Sequence, residues 1–173
     1  MGPRGAKWWE SGCRRLFPLS FRCSSLDDPA TELMFLGEYT PTLDEKGRLT
    51  LPAKFREQLE TAVLTSEVDR CLALWPPDQF TARAVELREQ AKRDAASNDR
   101  AAYFFAGAQE VTPDKQGRIA IPPSLREFAD LQLQSTVVVT GFFDHVQIRP
   151  AEAWQEKKRR GAEGMARQQF QGD

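Results

Sequence analysis

Histidine occurs once in this chain, at position 145, and cysteine three times, at 13, 23 and 71. A structural zinc site calls for about four Cys or His ligands at suitable spacing, so the chain lacks the material for one. No Cys-x-x-Cys pair is present, and Cys13 and Cys23 fall in a poorly patterned leader, which argues against a disulfide framework. Cys71 sits near Leu72 and Leu74 and reads as a buried free thiol. No stretch approaches the roughly 20 apolar residues that span a bilayer. The run Leu16-Phe17-Pro18-Leu19-Ser20-Phe21-Arg22 is too short, and too broken by Pro18 and Arg22, to be the apolar core of a secretion signal, so a cytoplasmic protein is expected. Gly-x-Ser-x-Gly, a Walker loop, Gly-x-Gly-x-x-Gly and His-Glu-x-x-His are all missing. The chain is therefore read as no enzyme, with no metal and no cofactor. A basic excess is missing too: 24 Lys and Arg against 25 Asp and Glu leave a net charge of −1. Any binding to nucleic acid must come from local clustering of cations or from their multiplication by assembly.

What is present is a long internal repeat. The segment Asp44-Glu45-Lys46-Gly47-Arg48-Leu49-Thr50-Leu51-Pro52 returns as Asp114-Lys115-Gln116-Gly117-Arg118-Ile119-Ala120-Ile121-Pro122. Position 44 recurs at 114, 47 at 117, 48 at 118 and 52 at 122, a constant offset of 70. The match extends back to Gly37 and Gly107 and forward through Arg56 and Arg126. A unit of this length exceeds a solenoid repeat and falls short of a usual domain, so two half-domains that complete one another are expected.

Both halves predict the same order of elements. In the first, a strand over 35–43, with Pro41 at an edge or kink, leads to a turn over 44–47 and a short half-buried strand over 48–51. Pro52 then opens a helix to about Glu60, and a hairpin follows over 62–66 and 71–75. In the second, strands over 108–112 and 118–121 flank the turn at 114–117, a helix follows Pro122, and a hairpin runs over 136–140 and 146–148, with His145 exposed at its turn. Between the halves, Phe80, Ala84, Leu87 and Ala91 form a helical stripe. Ser97-Asn98-Asp99 is expected to break that helix and cap the next. A last helix, anchored by Trp154, is expected to end in Lys157-Lys158-Arg159-Arg160 and to fray beyond Gly161. The domain plan is thus 1–33 as a leader, 34–80 as the first module, 81–106 as linking helices, 107–154 as the second module and 155–173 as a basic helix end and tail. The leader is either a disordered arm or an extension outside the natural protein, because Met34 directly precedes the first patterned segment.

Function should lie in what occurs twice, Asp-x-x-Gly-Arg. Gly47 and Gly117 let the backbone turn through positive φ. Asp44 and Asp114 can bind nearby backbone N–H groups and orient the guanidinium beyond the turn. Arg48 and Arg118 then present a planar fork of donors suited to phosphate oxygens or to the O6/N7 edge of guanine. Lys46 and Lys115 add positive charge to each loop. The plainer possibility is a tight hairpin closed by a salt bridge, which a duplication preserves as readily as a function.

From Met34 to about Trp154 the chain resembles the MraZ family of bacterial transcriptional regulators. The residues that carry the resemblance are Met34-Phe35-Leu36-Gly37-Glu38-Tyr39, the segment from Leu43 through Arg56, and Asp114-Lys115-Gln116-Gly117-Arg118-Ile119. The resemblance implies an α+β fold of two tandem SpoVT/AbrB-like modules forming a pseudo-twofold intertwined β-barrel with flanking helices. It implies a ring-shaped homo-oligomer, an octamer or dodecamer, associated with the nucleoid. It further implies double-stranded DNA as partner, at short direct repeats upstream of the division and cell-wall gene cluster, with Asp44, Arg48, Asp114 and Arg118 facing it. Lys46 and Lys115 join that set by charge and position. The alternative is an antitoxin-like or purely structural protein-interaction module of AbrB-type fold.

Overall fold

The computed structural model describes residues 34–169, so the expectation for 1–33 lies outside it. The first half contains β1 (Glu38–Tyr39), β2 (Arg48–Thr50), α1 (Ala53–Arg56), β3 (Ala62–Glu67) and β4 (Cys71–Trp75). Helices α2 (Pro77–Ala91) and α3 (Ala95–Gly107) follow. The second half repeats the plan with β5 (Gln109–Val111), β6 (Arg118–Ala120), α4 (Pro123–Phe128), β7 (Val137–Phe142) and β8 (His145–Pro150), and α5 (Ala151–Gln169) closes the described chain.

The first strand of each half pairs with a hairpin arm of the other half. Glu38 of β1 faces Thr140 of β7, and Gln109 of β5 faces Leu64 of β3, so each crosses from one half to the other. The two hairpins meet at the centre, where Leu72 faces Ile148 and Leu74 faces Val146. The result is one antiparallel sheet of order β1-β7-β8-β4-β3-β5 and a separate ribbon of β2 and β6. The fold is α+β, as expected, but no barrel closes among the described residues. β1 and β5 remain edges of the larger sheet, and the segment that links β1 to β2 forms isolated bridges, Thr42 with Thr136 and Leu43 with Leu49. Pro41 lacks the N–H that a continuous ladder there needs.

Side-chain alternation explains the core. Leu64, Leu72, Leu74, Val137, Val139, Val146 and Ile148 share one face of the sheet, and Leu49, Leu51, Ile119 and Ile121 come from the ribbon. Phe55, Leu59 and Leu125 join the same cluster from α1, its exit turn and α4. The opposite face of the hairpins is also buried and mixes Val63, Ala73, Trp75 and Val138 with the polar Thr65, Thr140, His145, Gln147 and Arg149. Cys71 is the free buried thiol that its neighbours predict.

Four local expectations need correction. α1 ends at Arg56 because Gln58 and Leu59 donate to Phe55 and Arg56 in tighter i→i−3 bonds of 3.2 Å, which swing Leu59 into the core. The break between α2 and α3 falls before Asp94, whose carboxylate caps α3 by accepting from the Ser97 N–H at 2.7 Å, so Ser97 lies inside the helix. His145 is only 5% exposed: the turn is confined to Phe143 and Asp144, so His145 opens β8 and stacks on Trp75 with ring centroids 4.0 Å apart. Finally, α5 continues through Gly161 and Gly164 to Gln169, which puts the run from Lys157 to Arg160 in mid-helix. Arg159 bridges Glu156 and Glu163 along the helix, while Lys157 and Lys158 tie it to Asp69 and Glu38 at 2.7 and 2.8 Å.

Candidate nucleic-acid interface

Each repeated turn is closed by backbone bonds that only a sharp reversal permits. The Gly47 N–H donates to Asp44 O at 3.0 Å, and the Asp44 N–H donates to Arg48 O at 2.9 Å. The second turn matches, with Gly117 to Asp114 at 2.7 Å and Asp114 to Arg118 at 2.9 Å. Gly47 and Gly117 lie at φ 72° and 74°, the left-handed region that costs a side-chain-bearing residue.

The aspartate divides its oxygens between backbone and guanidinium. Asp44 Oδ1 accepts from the N–H groups of Lys46 and Arg48 at 2.9 and 2.8 Å, and Oδ2 accepts from Arg48 Nε at 2.7 Å. Asp114 repeats this toward the N–H groups of Gln116 and Arg118, at 2.9 and 3.0 Å, and toward Arg118 Nε at 2.8 Å. Donation by the Arg118 guanidinium, then by its backbone N–H, pulls the Asp114 carboxyl down to about 2. The Arg48 backbone N–H is the main cause that holds Asp44 below the ordinary carboxylate range. Both aspartates are therefore ionised at neutral pH, and each guanidinium is aimed by a charge-assisted bond.

The ribbon then brings the two turns to a common surface. Arg48 pairs with Ala120, Leu49 with Ile119 and Thr50 with Arg118. Leu49 and Ile119 point into the core, so Arg48, Thr50, Arg118 and Ala120 share the outer face. The two arginines sit diagonally, with Cα atoms about 8 Å apart from ordinary strand spacing. Their side chains remain 32% and 26% exposed beyond their carboxylates. Such a pair of oriented forks can meet two acceptors, phosphate or base edge, along one groove. Lys46 and Lys115 are exposed beside them but are not equivalents: by the offset of the repeat, Lys46 corresponds to Gln116 and Lys115 to Glu45.

At the base of each turn stands one further arginine, which the sequence marks only as part of the repeat. Arg56 Nε donates to Leu51 O at 2.7 Å, and a Cβ added at Gly117 would lie 2.1 Å from that nitrogen. Arg126 Nε donates to Ile121 O at 3.1 Å, and a Cβ at Gly47 would lie 3.0 Å from it. Their recurrence at the repeat offset was the available signal; what they touch belongs to the other half. The basic run of α5 is a different case, since each of its four side chains has a carboxylate partner. Among the described residues, no group of His, Cys, Asp and Glu could hold a metal ion, and no helix is long and apolar enough to cross a membrane.

Comparison with known proteins finds one family over this region. Residues 34–101 and 104–169 each match the family described as "MraZ protein, putative antitoxin-like". The transcriptional regulator MraZ of Parafrankia sp. (strain EAN1pec) is 46% identical over 122 residues, covering 70% of this chain and 84% of that protein. Its namesake in Cutibacterium acnes is 42% identical over 124 residues, covering 71% and 86%. That of Frankia alni is 46% identical over 123 residues, covering 70% and 85%.

Proposed function

The chain belongs to the MraZ family, and from that premise we propose that it regulates transcription by binding double-stranded DNA through its two Asp-x-x-Gly-Arg turns. The observation that carries this reading is the placement of Arg48 and Arg118 on one outer face of the ribbon, each held by its own aspartate. Arg48 and Arg118 read base edges or phosphates, Asp44 and Asp114 aim them, and Gly47 and Gly117 permit the turn. Lys46 and Lys115 neutralise neighbouring phosphates. The target is a set of short direct repeats upstream of the division and cell-wall genes.

A chain of net charge −1 with two such turns holds few phosphates alone. Assembly into a ring repeats the ribbon along one rim, and linked copies raise the effective concentration of each further turn. The modules then form the intertwined SpoVT/AbrB arrangement, a reading supported by the exchange of β1 and β5 between halves.

The test is a binding titration with the DNA upstream of the gene against an equal length of random duplex. Selective, salt-sensitive binding that Arg48→Ala and Arg118→Ala each weaken is the expected result. Equal affinity for both duplexes would refute sequence reading. Tight capture of a protein partner with no DNA binding would favour the antitoxin-like alternative.

A further inference from the structure

We propose that Arg56 and Arg126 are positioning residues that each hold the opposite module's turn, so that the aim of Arg118 is set by Arg56 and the aim of Arg48 by Arg126. The inference rests on the reading of those turns as the DNA-facing parts.

Each clamp combines two contacts across the module boundary with one hydrogen bond inside a module. The Leu51 N–H donates to the carbonyl of Gly117 at 2.9 Å. The Leu51 carbonyl in turn accepts from Arg56 Nε at 2.7 Å. The Arg56 side chain therefore lies directly against Gly117, where a single added carbon would come within 2.1 Å of Nε and 2.5 Å of Cζ. The mirror set links the Ile121 N–H to Gly47 O at 2.9 Å and Arg126 Nε to Ile121 O at 3.1 Å. Arg126 Nε then stands 3.0 Å from a carbon added at Gly47.

This arrangement gives the glycines a second role. Positive φ alone would accept an asparagine at modest cost, but the space above Gly117 is occupied by a guanidinium. A planar fork with a donor at Nε fits that slot; a lysine keeps the charge and has no donor at that point of its stem. The contact also stands one residue from the Arg118 backbone N–H that Asp114 binds. Loosening the clamp thus frees the turn that aims Arg118, while the turn in the clamp's own module keeps its support.

The experiment uses the full chain and the variants Arg56→Lys and Arg126→Lys, each checked for unchanged assembly size. Amide hydrogen exchange is read by mass spectrometry over residues 43–49 and 113–119. Arg56→Lys should speed exchange about tenfold over 113–119 and leave 43–49 unchanged, and Arg126→Lys should do the reverse. Acceleration in the variant's own module, in both turns equally, or in neither overturns the clamp. A second arm measures binding to a duplex enriched from a randomised pool by the unmodified chain, beside a random duplex at the same salt. Arg56→Lys should weaken the enriched duplex about tenfold and the random duplex less than about twofold, because the charge is retained. An exchange change without that selective loss overturns the aiming role. If the unmodified chain enriches no sequence, the DNA reading falls, and the exchange arm still decides the clamp. Combining Arg56→Lys with Gly117→Ala should cost less than the separate effects added, while Gly47→Ala should add in full.

Discussion

The two turns share a backbone and differ in what surrounds it. Their glycines agree within 2° of φ, 72° against 74°, and their aspartates accept the same bonds. Turn 1, Asp44-Glu45-Lys46-Gly47-Arg48, carries two acids and two bases; turn 2, Asp114-Lys115-Gln116-Gly117-Arg118, carries one acid and two bases. Turn 2 is also more tightly seated, with its clamp 2.1 Å from the glycine's missing carbon against 3.0 Å in turn 1. Duplication has thus kept the geometry that aims an arginine and released the chemistry on its flanks. If the turns face DNA as proposed, turn 2, with one acid fewer, is expected to neutralise phosphates more than turn 1.

The largest expected difference is steric. Gly47→Ala incurs the left-handed backbone cost of about 1–2 kcal/mol. Gly117→Ala incurs the same and must also push Arg56 off the Leu51 carbonyl, a charge-assisted bond worth about 1.5–3 kcal/mol. The fall in Tm for Gly117→Ala should therefore be about twice that for Gly47→Ala or more. Equal falls would mean that the tighter seat of turn 2 carries no energy.

Next in size is the loss of Arg48 or Arg118. Arg48→Ala and Arg118→Ala should each weaken specific DNA binding by about 1–3 kcal/mol per site. Their exposed ion pairs contribute about 0–1 kcal/mol to the fold, so Tm should hardly move. Unfolding or a change in assembly size in either variant would return that turn to a purely structural role.

Why the turns were legible and their clamps were not follows from the range of the interactions. Asp44, Gly47 and Arg48 close on one another within five residues, so spacing alone predicts the contact. The contact of Arg56 with Gly117 joins two modules, and no local pattern announces it. The place of His145 is hidden from the sequence for a related reason. A histidine beside Phe142-Phe143-Asp144 looks like part of a turn, and only the pairing of Phe142 with His145 places it in β8, against Trp75. The ion pairs of Lys157 and Lys158 in α5 with Asp69 and Glu38 likewise join residues far apart in the chain, and no local pattern announces them. Apolar alternation, by contrast, located the hairpins and the ribbon well, because burial of one face is decided residue by residue.

A smaller effect should follow from the flanking charges. Glu45→Lys gives turn 1 the cation that turn 2 has at the corresponding Lys115, and Lys115→Glu does the opposite. Each exchange should alter the log–log salt slope of DNA binding by about 0.9 for every phosphate newly neutralised or released, steeper for Glu45→Lys and shallower for Lys115→Glu. Discrimination between target and random duplex should stay nearly constant, because neither side chain belongs to an oriented fork. A change in base preference with an unchanged slope would show these positions to be readers.

The smallest expected difference is in acid sensitivity. Both aspartates have carboxyls lowered by binding in the folded turn, so each favours the closed turn above its ordinary titration range. That contribution is lost as pH falls through the folded value, which for Asp114 is about 2 against an ordinary 3.8. Beyond the same Nε hydrogen bond in both turns, the Arg118 ion pair with Asp114 closes at 2.7 Å through a terminal nitrogen, whereas the Arg48 ion pair with Asp44 closes through Nε. Turn 1 should accordingly open first on acidification, and neither turn should change between pH 5 and 8. Carboxyl carbon shifts of labelled aspartate, assigned with Asp44→Asn and Asp114→Asn, report the two titrations directly. An Asp114 midpoint at or above that of Asp44 would show that the close approach of the Arg118 terminal nitrogen adds nothing, and that the turns differ in their flanks and seats alone.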